Sequence, residues 1–220
     1  MEIEDGRYYR IPEFVPRWYP SVTTVTGFSK RDFFQKWRES PNNQKLMEHA
    51  SNRGNDLHLM IEQYLKNDAS YLNSHHILTK FIFQKMQPYL HNISDICMQE
   101  SPMWSNELRM AGRVDCIANY KNVPSIIDFK GSGKEKKEQW IQNYFEQATC
   151  YARMFKEMTG ATIPQIVILI GNEQGTVQEF IKKTSEYETQ LQTTVDLYWK
   201  QHDYDEVQKK CEDIWARRSN

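Results

Sequence analysis

The chain has 220 residues, 39% of them hydrophobic and 26% charged, with six Trp, twelve Tyr and ten Phe. That length suits one domain with a real core, and the aromatic content excludes a disordered chain. The formal net charge of −1 leaves any contact with nucleic acid to local patches, not to a global field.

In chain order, the amino terminus "MEIEDGRYYR" is acidic and carries no apolar signal segment and no Arg- and Ser-rich, acid-poor transit sequence. No apolar run reaches membrane-span length, so a cytoplasmic location is expected. Pro12, Pro16 and Pro20 suggest that the first twenty residues run extended across the surface. In "PSVTTVTGF", Ser21 or Thr23 can cap a short helix, and a second helix is expected through "KRDFFQKW". Ser40 followed by Pro41 is a strong helix start, after which Leu46, Ala50, Gly54, Leu57, Ile61 and Leu65 recur at helical spacing. Another helix is expected from about Ile77 to Tyr89.

From Ile93 the pattern changes to strands: "ISDICMQESPMW", "ELRMAGRVDCIANY" and "VPSIIDFK", the last two joined by a turn at "KNVP". A helix follows, with Ile141, Tyr144, Ala148, Tyr151 and Phe155 as its apolar stripe. "IPQIVILIG" reads as a strand covered on both faces and "GTVQEFIK" as its partner. Ser185 and Glu188 make a capping box for a long carboxy-terminal helix. The expected fold is α/β, a small mixed sheet flanked by helices, with residues 1–92 a helical amino-terminal region and 93–220 the core of one integrated domain. Cys97, Cys116, Cys150 and Cys211 lie far apart with no CxxC pair, as expected of buried thiols in a reducing compartment.

The chemistry concentrates in one hairpin. Asp115 and Asp128 fall on consecutive strands about 4.8 Å apart, so their carboxylates can converge. Carboxylate oxygens suit Mg²⁺ or Mn²⁺ better than a soft metal. Lys130 stands on the same strand face as Asp128 and can orient a water or stabilise a developing phosphorane oxygen. The simpler alternative is a salt bridge between Asp128 and Lys130 on a solvated strand end. "KGSGKEKKEQW" adds Ser132, Lys134, Lys136 and Lys137, either a solvated basic loop or a phosphate clamp. Ser21 and Thr23 either bind a phosphate or only cap their helix. Trp18, Tyr19, Phe33, Phe34 and Trp37 are aromatics able to stack bases, though core packing explains most such residues.

"GRVD", "IIDFK" and "QATCY", with "GNDLH" upstream, resemble the RecB-like branch of the PD-(D/E)XK nucleases. With "PSVTTV" and "IIDFKGSGK" in the same order, the chain looks similar to the mitochondrial genome maintenance exonucleases and their phage relatives over residues 19–155. The resemblance implies a restriction-endonuclease-like core. It implies that Asp115, Asp128, the carbonyl of Phe129 and His58 bind Mg²⁺ or Mn²⁺, and that Lys130 activates water. Gly54 would let the His58 helix approach the sheet, and Gln147 and Tyr151 would contact DNA or hold the lysine. Relatives often carry another acid on the strand before Asp115; Glu100 is placed ahead of Glu107 for its hairpin-like interval. His49, His75, His76, His91 and His202 lack such company and are expected on the surface. The implied activity is that of a metal-dependent DNA exonuclease on single-stranded ends, in replication, recombination or repair, in a bacterial or phage-infected cytoplasm. DNA with a free end, and replication or recombination proteins, are the implied partners. A structure-specific or flap endonuclease and a non-catalytic DNA-binding scaffold are the alternatives.

Overall fold

A five-stranded mixed sheet forms the centre of the fold: β4 (Ile93–Ser105), β5 (Met110–Tyr120), β6 (Val123–Ser132), β7 (Gln165–Asn172) and β8 (Val177–Lys183), in that order across the sheet. The computed structural model describes residues 1–3, 6–11, 16–30, 36, 39–73 and 75–219. Strands β4, β5 and β6 run antiparallel by hairpin connection, and β6 is parallel to β7. The β5–β6 turn places Lys121 and Asn122 at φ 50° and 65°. That is the left-handed pair a tight two-residue hairpin needs. A parallel neighbour requires a crossover, supplied by α4 (Gln142–Thr159), which stops at Gly160 in the left-handed conformation, φ 77°.

Alternation along the strands sorts the core into two layers. Ile126, Ile166, Ile168 and Ile170 pack with α4, with α1 (Val22–Thr26) and with α5 (Glu188–Gln201). Ile127, Phe129, Val167 and Leu169 face the opposite layer, built by α2 (Pro41–Leu65) and α3 (Ile77–Leu90). Helix α3 crosses β7 at Gly171, where an added Cβ would sit 2.6 Å from Ile82 Cγ2. Both faces of β7 are therefore covered, which is why its sequence is apolar throughout.

The first twenty residues do not simply run extended across the surface. They contribute β1 (Glu2–Ile3), β2 (Gly6–Ile11) and β3 (Arg17–Pro20), a three-stranded antiparallel sheet, so the 1–92 region is not helical throughout. Tyr8, Trp18 and Tyr19 are buried. Trp18 packs against α6 (Tyr204–Ser219), and its indole N–H donates to Glu212 at 2.8 Å. Neither Trp18 nor Tyr19 is free to stack a base; Phe33, Phe34, Trp37 and most of the helix expected there lie outside the described residues.

Helix α2 starts at Pro41 as expected, but Ser40 gives it no side-chain cap, and Leu46 and Ala50 are exposed; burial begins at Leu57. The carboxy-terminal helix is also divided. A single turn at Thr184–Glu186 precedes α5, the Lys183 N–H donates to Glu186 at 3.3 Å, and Tyr187 stands at the cap. Glu186 thus supplies half of a capping box two residues earlier than the Ser185–Glu188 pattern suggests, since the Lys183 side chain has no acceptor to complete it. The chain breaks again after Gln201, and Asp203 accepts the Glu206 N–H at 2.9 Å to start α6. Cys116, Cys150 and Cys211 are buried free thiols, whereas Cys97 is exposed on edge strand β4. Among the described residues no helix is long and apolar enough to cross a membrane.

Candidate metal centre

Asp115 on β5 and Glu100 on β4 meet by register. Gln99 pairs with Cys116 and Ser101 with Val114, which leaves Glu100 opposite Asp115. Glu100 takes a left-handed backbone, φ 47°, uncommon for a residue with a side chain. Its Oε2 accepts from Arg113 Nε at 2.8 Å, and its Oε1 lies 3.5 Å from His58 Nδ1. The same His58 nitrogen is 3.6 Å from Asp115 Oδ1. One ligand atom from each of His58, Glu100 and Asp115 lies within 4.8 Å of the other two. Oxygen ligands held about 2.1 Å from a dication lie roughly 3–4 Å from one another, so the gap suits a bound cation.

Burial draws the His58 imidazolium's pKa down, but Asp115 and the contact with Glu100 outweigh it and leave the pKa raised. The second oxygen of Asp115 accepts the Phe129 N–H at 2.9 Å, which fixes the carboxylate across the β5–β6 pair. Asp128 stands outside the three-residue group. Its carboxylate, 2% exposed, turns onto Lys130, whose Nζ lies 2.7 Å from each of its oxygens. Burial and then the nearby Asp115 push the Asp128 carboxyl up to about 6 against the opposing pull of Lys130. Burial lowers the Lys130 ammonium, but Asp128 and Asp115 carry it up to about 12. Oδ2 of Asp128 is buried and, the ion pair aside, makes no hydrogen bond.

His58, Glu100, Arg113, Asp115 and Lys130 line one wall of a cleft of roughly 830 Å³ that also takes in Arg7, Ser21, Thr23, Gly54, Gln147 and Tyr151. Ser21 is buried and caps α1, accepting the Thr24 N–H at 3.0 Å, while Thr23 is exposed to the cleft. Gly54 does not serve close packing: a Cβ there would meet nothing within 4 Å. Gln147 and Tyr151 are buried on α4. Burial and the nearby acids push the Tyr151 phenol well above its ordinary range, so it stays a hydroxyl. A Cβ at Gly112 would lie 2.5 Å from that hydroxyl. Gly112→Ala is therefore expected to lower stability by about 1–3 kcal/mol and to reduce activity, measured as the denaturation midpoint and turnover of one preparation.

Three other expected residues lie away from this cleft. Ser132, Lys134 and Lys136 are not on its wall. The Ser132 hydroxyl donates to the Lys134 carbonyl at 2.6 Å, and Gln178 of β8 holds the Lys136 backbone through two hydrogen bonds. The loop thus turns toward β8. Glu107 lies in the turn after β4, exposed and paired with Arg153, remote from the three-residue group. His75, expected on the surface, is held between Asp56 at 2.6 Å and Gln63 at 3.0 Å with its side chain 4% exposed. Sequence reasoning missed Arg113, although it stands two residues before Asp115 in "GRVD". It also missed Tyr144 as a neighbour of Lys130, although Tyr144 stands one turn before Gln147 on α4.

No protein-family model matches the chain, and no curated protein matches its sequence. Among solved structures, the chain is similar to a "Putative exonuclease" from Eubacterium rectale, 12% identical, TM-score 0.48, covering 66% of this chain and 64% of that one. It is also similar to the protein SSO0001, 14% identical, TM-score 0.42, covering 80% of this chain and 75% of that one. The chain thus spans under two thirds of the length of the first of these proteins.

Proposed function

We propose that this chain is a metal-dependent nuclease that hydrolyses DNA phosphodiesters as an exonuclease acting on single-stranded ends. The observation that carries this reading is the convergence of His58, Glu100 and Asp115 beside the buried Asp128–Lys130 pair. His58, Glu100 and Asp115 would hold a divalent cation, with Asp128 and the Phe129 carbonyl as further oxygen donors. One imidazole among carboxylates suits Mn²⁺ somewhat better than Mg²⁺. When bound, the cation supplies Lewis-acid stabilisation of phosphoryl charge and lowers the pKa of water.

The protein's own groups do the rest. Lys130, kept charged by Asp128 and Asp115, offers a fixed ammonium to a phosphoryl oxygen as negative charge develops on it. Arg113 holds Glu100 toward His58 by occupying its other oxygen. Arg7 lies on the cleft wall with its guanidinium on Glu2 at 2.8 Å, and would bind a backbone phosphate in exchange for that carboxylate. Gln147 and Tyr151 add neutral donors on the α4 side.

The test uses linear single strands labelled at each end in turn, and a circular single strand, with Mn²⁺, Mg²⁺ or a chelator. The expected result is end-dependent shortening of the linear strands, an intact circle, and no reaction with chelator. A cut circle would make the protein an endonuclease. If no substrate is cleaved with either metal, the nuclease reading fails.

A further inference from the structure

Trp140 leaves half of its indole in solvent, 49% exposed, on the single turn Glu138–Trp140 that leads into α4. Its backbone is held firmly. The Trp140 N–H donates to the Lys137 carbonyl at 2.9 Å, and its carbonyl accepts from Lys30 Nζ at 3.0 Å. The same Lys30 ammonium donates to Asn143 at 2.8 Å. Lys137 places its ammonium 5.2 Å from the centre of the indole ring. The result is an aromatic side chain on a firmly held backbone, with the Lys137 ammonium over its ring and the Lys30 ammonium on its carbonyl.

The turn that carries this indole leads directly into α4, the helix that brings Gln147 and Tyr151 to the cleft. Tyr144, Gln147 and Tyr151 stand at i, i+3 and i+7 on one face of α4, and Trp140 precedes them on the single turn that leads into it. The Tyr144 ring lies 5.2 Å from Lys130 Nζ, and Gln147 and Tyr151 line the cleft. Trp140 thus stands four residues before the tyrosine whose ring sits against Lys130. Glu138, two residues before Trp140, is paired with Lys182 at 2.7 Å. Lys30 and Lys137 are the cations that bear on Trp140 itself.

We propose that Trp140 is a stacking platform for a base of a single strand, with the strand's phosphates running past Lys137 and Lys30 toward Lys130. An aromatic face beside ammonium groups matches the alternation of flat bases and anionic phosphates, and stacking is tolerant of base identity. A duplex offers no free base face to it. The platform deepens the nuclease reading by fixing the substrate as single-stranded, and it rests on that reading only for what happens at the strand's end. Stacking does not sense the sugar, so DNA and RNA strands share the chemistry.

The experiment measures binding of fluorescent oligothymidylate, oligouridylate and a blunt duplex in chelator, by anisotropy, for the wild type, Trp140→Ala and Trp140→Phe. Hydrolysis of bis(p-nitrophenyl) phosphate with Mn²⁺, a substrate with no strand to run past the indole, is followed in parallel. Trp140→Ala is expected to weaken oligothymidylate binding roughly tenfold, Trp140→Phe by less, and neither to change the small-substrate rate. An equal loss with oligouridylate identifies stacking alone; a loss confined to one sugar identifies that strand as the ligand. Equal binding by Trp140→Ala and wild type overturns the platform. Wild-type binding lost in Trp140→Ala, with no hydrolysis by any form, keeps the platform and removes the nuclease.

Discussion

Asp115→Asn is expected to abolish metal uptake and lower cleavage by about 10³-fold, while the metal-free protein keeps or gains stability at alkaline pH, where His58 carries no charge for Asp115 to pair with. The asymmetry follows from the two oxygens of Asp115. One accepts the Phe129 N–H at 2.9 Å, and an amide oxygen accepts that bond equally well. The other faces the Glu100 carboxylate across a gap of at most 4.8 Å. At that separation two negative charges repel by about 3 kcal/mol at an effective dielectric near 20. The amide removes one charge and presents a donor to the other acid. A carboxylate retained to pair with His58 would behave in the opposite way, because its loss would strand an imidazolium. Calorimetric titration with Mn²⁺, a melt in chelator at alkaline pH and an end-label assay on the same preparation decide the matter. Retained uptake with a lower melting temperature would remove Asp115 from the metal centre.

The sequence makes the β5–β6 hairpin and the core strand β7 plain for separate physical reasons. The hairpin has alternation on both sides of a two-residue turn, with Asn122 in the left-handed region that Asn tolerates well. Strand β7 is apolar because helices cover both of its faces. The amino-terminal sheet was hidden because its prolines suggest an open segment and its partners are distant. Trp18 bonds to Gln208 and Glu212, 190 and 194 residues further along the chain. No local pattern records such a contact.

At the candidate site, Asp115, Asp128 and Lys130 were legible as a cluster because they share one hairpin. The part played by Glu100 was not. It depends on a register shift in β4 between Ser94 and Met98 and on a left-handed backbone at Glu100 itself. Strict alternation cannot see either. The basic loop misleads for the converse reason, since nearness in sequence is not nearness in space. A strand advances about 3.3 Å per residue, so by Ser132 the chain has moved roughly 13 Å from Asp128.

Lys130→Met is expected to reduce cleavage by about 10²–10⁴-fold and to make stability strongly dependent on pH. Asp128 is 2% exposed and shares its charge with Lys130 at 2.7 Å. Removing one partner of a buried pair costs about 3–5 kcal/mol when the other stays ionised. Asp128 can avoid that cost by taking a proton. With Lys130 present its pKa already stands at about 6, since burial and Asp115 raise it more than the lysine lowers it. Without the lysine it rises further, whereas the unfolded chain keeps the ordinary value near about 4. A carboxyl whose folded pKa is raised binds its proton more tightly when folded. Its contribution is whole below the unfolded pKa and is lost as pH climbs through the folded one. The variant should therefore melt close to the wild type at pH 5 and well below it at pH 8, and Mn²⁺ at pH 8 should recover part of the difference by replacing the missing positive charge. Melting curves across that range, with and without Mn²⁺, measure both effects. Parallel profiles for variant and wild type, with cleavage retained, would mean that Lys130 only solvates a strand end. Divergence with metal rescue would mean that the lysine and the cation answer the same buried negative charge.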